Sequence, residues 1–106
     1  MTEHAVLVNI RQGPIALEAL HDLETKLIAV LEDTDVGELD GHDVAIDLSD
    51  ATLYLYGPDA DALFSAIAPT LQAEPLTRGA TAFLRYGEAE DETAREVTVT
   101  IGQGAT

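Results

Sequence analysis

The chain has 106 residues, with 20 Asp and Glu against 5 Lys and Arg, a net charge of −15, and no cysteine. Disulfides, thiolate nucleophiles and Cys-ligated metals are therefore excluded. A field of this sign also repels phosphate backbones and anionic lipid, so no nucleic-acid partner and no membrane-surface partner is expected.

The length suits one α+β domain over residues 1–106, with 101–106 as a loose tail. The start "MTEHAVLVNIRQGP" has no basic leader followed by an apolar run, so no signal peptide is expected. No apolar run reaches the roughly 18 residues that a membrane span needs. The missing cysteine fits a reducing compartment, and a cytoplasmic location is expected.

In chain order, "HAVLVNIR" alternates as a strand over residues 4–11. Gly13-Pro14 breaks it, and Pro14 suits the first turn of a helix reaching about Asp33. Its buried stripe is Ala16, Leu20, Leu23, Leu27 and Val30 or Leu31. Residues 34–42 read as a loop broken by Gly37 and Gly41. "DVAIDLS" and "ATLYLY" then read as two strands joined by a hairpin at Ser49-Asp50. Pro58, Asp59 and Asp61 mark the start of a second helix with Leu63, Phe64, Ile67 and Leu71 inside; Pro69 should kink or shorten it near Ala68. "ATAFLRY" over residues 80–86 and "REVTVTI" over residues 95–101 are the last strands, with the acidic turn "GEAEDETA" between them.

The order β-α-β-β-α-β-β predicts a ferredoxin-like split β-α-β two-layer sandwich, with an antiparallel sheet, both helices on one face and an extra C-terminal strand beside the fourth. The face away from the helices should show Leu7, Asn9, Arg11, Ala45, Asp47, Tyr54 and Tyr56, joined either by Phe83 with Arg85 or by Ala82 with Leu84 and Tyr86. Such a face is solvated, pairs two copies as a homodimer, or binds a partner.

Catalytic motifs are sparse. Ser49 and Ser65 are the only serines, and neither sits in a G-x-S-x-G elbow. His21-Asp22 is similar to the His-Asp pair of metal-dependent phosphohydrolases, but the other ligand motifs are missing, and an exposed helical histidine beside Glu18 and Glu24 accounts for it. Asp40, His42 and Asp43 lie close together and suit a hard cation. In a chain this acidic such clusters arise by chance, so the loop is read as solvated. "DTDVGELDGHDV" lacks the Gly at six and the Glu at twelve of a calcium loop. No enzyme activity, cofactor or metal is assigned from the sequence.

"DGHDVAIDLSDATLYLYGPDADALF", "PLTRGATAFLRYG" and "REVTV" together resemble a group of small acidic bacterial proteins of unassigned function, over roughly residues 39–99. The resemblance marks Tyr54, Tyr56, Gly57, Pro58, Asp59, Asp61, Arg78 and Tyr86 and implies no catalytic role. The topology is also similar to that of ACT-type regulatory domains, which bind small ligands at strand–helix loops between paired domains.

The function expected is a non-enzymatic, acidic protein-binding module. Its partner is a basic protein such as a nuclease toxin, as for immunity proteins and nucleic-acid mimics. One-signed charge speeds association and aromatic anchors slow release. The partner-binding residues expected are Asp35, Glu38, Asp40, Asp43, Asp47, Asp50, Tyr54 and Tyr56. The alternative is a small ligand-binding or homodimerising domain whose acidity reflects a salt-adapted or GC-rich organism, in keeping with one lysine, sixteen alanines and eleven threonines.

Overall fold

The structure, a computed structural model, describes residues 3–11, 14–88 and 90–101. Its elements are β1 (His4–Ile10), α1 (Leu17–Thr34), β2 (Glu38–Val44), β3 (Ala51–Gly57), α2 (Ala60–Ala73), a 3₁₀ turn (Pro75–Thr77), β4 (Thr81–Arg85) and β5 (Glu96–Thr100). The five strands form one sheet in the order β2-β3-β1-β4-β5, with every neighbouring pair antiparallel. The first four strands thus have the split β-α-β arrangement, and β5 extends it beside β4. Among the described residues no helix is long and apolar enough to cross a membrane. Of the loose tail expected at residues 101–106, Ile101 is instead buried in the core (2% exposed) with its N–H bonded to Ala80 O at 2.8 Å, and residues 102–106 lie outside the described residues.

The core follows from two periodicities. Val6, Val8 and Ile10 of β1, Leu53 and Leu55 of β3, and Ala82 and Leu84 of β4 alternate onto one face. Leu20, Leu23, Leu27 and Leu31 of α1, with Leu63, Ile67 and Leu71 of α2, repeat every three or four residues and pack against them. Each fully buried Leu or Ile contributes about 1.5–3 kcal/mol over its exposed state.

Helix α2 begins at Asp59, whose Oδ1 accepts from the amides of Asp61 (3.0 Å) and Ala62 (3.4 Å). It runs on to Ala73 with Pro69 inside it, so the proline does not cut it short. The buried Thr77 hydroxyl then takes up the C-terminal carbonyl of Leu71.

One strand differs from the sequence expectation. The strand expected over "DVAIDLS" is shifted: β2 starts five residues earlier, at Glu38, keeps only Asp43 and Val44 of that stretch, and pairs with β3 as the expected hairpin through a longer turn. Residues 45–50 are a turn, closed by Ala45 N–H to Asp50 O (3.0 Å) and Leu48 N–H to Ala45 O (2.8 Å). Ile46 is 103% exposed rather than in the core, and Leu48 takes a φ of 62°. Asp47 accepts from the Ser49 amide at 3.0 Å, and this bonding to Ser49 holds its carboxyl below the ordinary value.

The physical reason lies at the end of α1. Asp35 caps that helix in the left-handed region (φ 54°) and gives its N–H to Leu31 O at 2.8 Å. The chain then turns at once beside the end of β3. A Cβ on Gly37 would lie 2.4 Å from Tyr56 O, and one on Gly57 would lie 2.3 Å from Val36 O. This backbone approach fixes Glu38 opposite Tyr56. The alternation at Val44, Ile46 and Leu48 is overridden because β2 is an edge strand with little to bury. A bulge between Leu39 and Gly41 lets Leu39, His42 and Val44 share the helix side.

Two glycines of similar sequence context should therefore respond oppositely. Gly57→Ala should destabilise by about 1–3 kcal/mol, since the contact is with backbone that cannot yield. Gly41→Ala, where a Cβ meets nothing within 4 Å, should be neutral or slightly stabilising. Urea unfolding of both variants checks this; equal midpoints would show that the β2 register differs from the one described.

Candidate functional site

The topology gathers charge at one end of the sheet. Strand pairing places Glu38 opposite Tyr56, His4 opposite Gly57, Ala5 opposite Arg85 and Arg85 opposite Glu96. Three segments therefore meet at this end: the α1–β2 connection with Glu32, Asp33, Asp35 and Glu38; the β3–α2 connection with Asp59 and Asp61; and the β4–β5 connection with Glu88, Glu90, Asp91 and Glu92. With Glu3 and Glu96 they hold more than half of the chain's 20 carboxylates. The Glu3 amide donates to Glu88 Oε2 at 2.6 Å, tying two of the segments together.

Little cationic charge offsets them. Arg85 Nε donates to Gly87 O at 2.8 Å, and the Arg95 guanidinium lies 5.3 Å from the centre of the Tyr86 ring. Lys26 pairs with Glu74, whose hydrogen bond and charge raise the lysine above its ordinary value; that pair belongs to the other end. Arg11 and Arg78 also follow elements that end there.

A shallow groove of about 530 Å³ opens at the acidic end, lined by Glu3, Asp35, Gly37, Glu38, Tyr56, Gly57 and Pro58. Asp35, Glu38 and Tyr56 are thus brought together as expected. The other expected residues separate. Tyr54 and Asp43 share the open face higher on the sheet, with Tyr54 Oη donating to Asp43 Oδ2 at 3.3 Å. Burial and then the Asp43 carboxylate raise the Tyr54 phenol above its ordinary value. Asp47 and Asp50 lie in the turn at the opposite end of the sheet, because that segment is not a strand. Asp40 is the extra residue of the β2 bulge. The open face also lacks the expected Ala45 and Asp47. It does carry Leu7, Asn9, Tyr54 and Tyr56, together with Phe83 and Arg85, since Ala82 and Leu84 are buried.

Asp40, His42 and Asp43 do not converge. His42 faces α1 and Asp43 faces the open side, as alternation along β2 requires. His42 Nδ1 instead lies 2.8 Å from Glu24 Oε2, and its ring centre is 6.1 Å from that of His21.

The sequence reading missed the contribution of the β4–β5 connection and the groups that hold the acidic end in place. His4 Nδ1 accepts from the Ala60 amide (3.0 Å), and its ring meets Tyr86 edge-on at 5.7 Å. Tyr86 Oη donates to Asp61 Oδ1 at 2.6 Å. "GEAEDETA" was a visible signal, but only strand pairing shows that it lies at the same end of the sheet as Asp35 and Glu38.

Compared with known protein families, curated proteins and solved structures, the chain matches none at a significant level. The geometry is what any functional reading rests on.

The hydrogen bond to Asp61, with burial, raises the Tyr86 phenol above its ordinary 10.0. The stability it lends is present below pH 10 and is lost as pH rises through the folded-state value. Tyrosinate absorbance, with Tyr86→Phe identifying the late-titrating ring, should show Tyr86 ionising at lower pH in Asp61→Asn. An unchanged midpoint would show that the bond does not hold in solution.

Proposed function

We propose that the protein is a non-enzymatic binding module whose acidic end docks a basic partner, as an immunity protein covers a nuclease toxin or a nucleic-acid mimic occupies a cationic cleft. The observation that carries this is the position of the charge. Glu32, Asp33 and Asp35 stand in or just past the last turn of α1, which has no basic residue. Carboxylates at that negative helix end each cost about 0.3–1 kcal/mol when exposed at low salt. The fold gains nothing from them there, whereas a cationic partner would.

Geometry supports the same reading. Tyr56 lies half-buried between Glu38 and the groove and offers an apolar anchor inside a charged rim. The acidic segments converge on one end, so the fields of carboxylates within the roughly 8 Å screening length of physiological salt add there.

A second reading has its own observation. Tyr54, Leu7 and Phe83 stand side by side across three strands of the open face, and Phe83 is 41% exposed. That apolar row could pair two copies face to face. Sedimentation of the purified chain distinguishes the readings: a dimer abolished by Phe83→Glu supports pairing, and a monomer removes it.

The docking proposal is tested by retention of basic proteins from a source-cell extract on immobilised protein in 0.15 M salt. A specific basic protein should be held by the wild type and by Asp47→Asn/Asp50→Asn, and lost with Asp35→Asn/Glu38→Gln/Tyr56→Ala. Equal loss in both variants, or no basic protein held even at low salt, would count against docking through this end.

A further inference from the structure

We propose that His21, Glu24 and His42 form a site for one transition-metal dication, zinc by preference, which fastens the edge strand β2 to α1. This inference does not depend on the partner reading. His21 and Glu24 are three residues apart on α1 and so share one face of that helix. His42 reaches them from β2 because the bulge at Leu39/Gly41 turns it to the helix side, opposite Leu53. The three residues each offer a ligand atom, and these atoms all lie within 4.8 Å of one another.

The donor set selects the metal. Two imidazoles and a carboxylate match zinc sites with three protein ligands and one open position. Magnesium and calcium prefer oxygen ligands throughout. With bonds of about 2.0–2.2 Å, tetrahedral ligand atoms stand roughly 3.4 Å apart. His21 is exposed on the helix surface, so a change of its side-chain rotamer suffices to close the shell. Glu24 is held more firmly: its side chain is 14% exposed, and its Oε2 lies 2.8 Å from His42 Nδ1. Asp40 lines the same depression as His21 and Glu24, together with Thr25, Ile28 and Leu39. Its carboxylate adds negative potential beside the site.

A physical role follows from where the site lies. β2 is an edge strand with no fully buried residue, one neighbour in the sheet and half-buried residues at Leu39 and Val44 against the helix layer. A metal bridging His42 to α1 would add a crosslink that exists only in the folded state, and so would stabilise that state by mass action.

The test is calorimetric titration of the full chain with zinc chloride after removal of metals by chelator, with thermal unfolding in parallel. The expected result is saturable binding of one equivalent, a rise in melting temperature with zinc but not with magnesium at equal ionic strength, and binding about tenfold or more weaker in His21→Ala and His42→Gln. Asp47→Asn should bind as the wild type does. His21→Ala changes an exposed side chain, and circular dichroism confirms that it folds. Equal zinc binding by the wild type and both histidine variants would assign the heat to scattered carboxylates and overturn the proposal, as would no binding at millimolar zinc.

Discussion

Burial of two leucine stripes against the central strands β1 and β3 is the interaction on which the rest of the molecule depends. Leu20, Leu23, Leu27 and Leu31 from α1 and Leu63, Ile67 and Leu71 from α2 close over Val6, Val8, Leu53 and Leu55. This layer holds together a chain whose net charge of −15 pushes it apart. Among the described residues the core is apolar except for Thr77, whose hydroxyl is bonded to carbonyl oxygens of Leu71 and Glu74. The surface is therefore free to carry charge in a pattern that the fold itself does not require.

That pattern follows from connectivity. In this topology the starts of β1, β2, β5 and α2 and the ends of α1, β3 and β4 all meet at one end of the sheet. Acids scattered through the sequence, from Glu3 to Glu96, thus become neighbours. The positive end of α2 welcomes Asp59 and Asp61, which cap it and bond Tyr86. The negative end of α1 does not welcome Glu32 and Asp33 in the same way. This local conflict between charge and helix dipole is the kind of departure that marks a surface shaped by something other than stability.

Much of the fold was legible because its core elements obey a clear period. β3 and β4 alternate, β1 does so from Val6 onward, both helices carry an aliphatic stripe, and Pro58-Asp59 signals the start of α2. The edge strand was not legible. "ELDGHDV" has three acids, a glycine and a histidine in seven residues and looks like a loop, while "AIDLS" after it continues a strand period and forms a turn. What decides the matter is the close approach of Gly37 to Tyr56 and of Gly57 to Val36, a tertiary fact without a local signature.

The candidate site inherits that difficulty. Asp35, Glu38 and Tyr56 were found because they lie near the correctly placed end of β3. Asp47 was misplaced with the strand that was expected to carry it, while Asp50 lies in the turn, as expected, at the end of the sheet away from Tyr56. The histidine cluster depends wholly on the register of β2. His21 and Glu24 are visible as a helical pair, but only the bulge at Leu39/Gly41 brings His42 to them and sends Asp43 to the other face.

The central claim is that charge at the acidic end is held there against the interest of the fold. The most direct measurement is the melting temperature of the wild type and of Glu32→Gln/Asp33→Asn/Glu38→Gln across a salt series. The account predicts that the variant melts higher at low salt and that the difference closes as added salt screens the repulsion. A variant that melts at or below the wild type at low salt would contradict it.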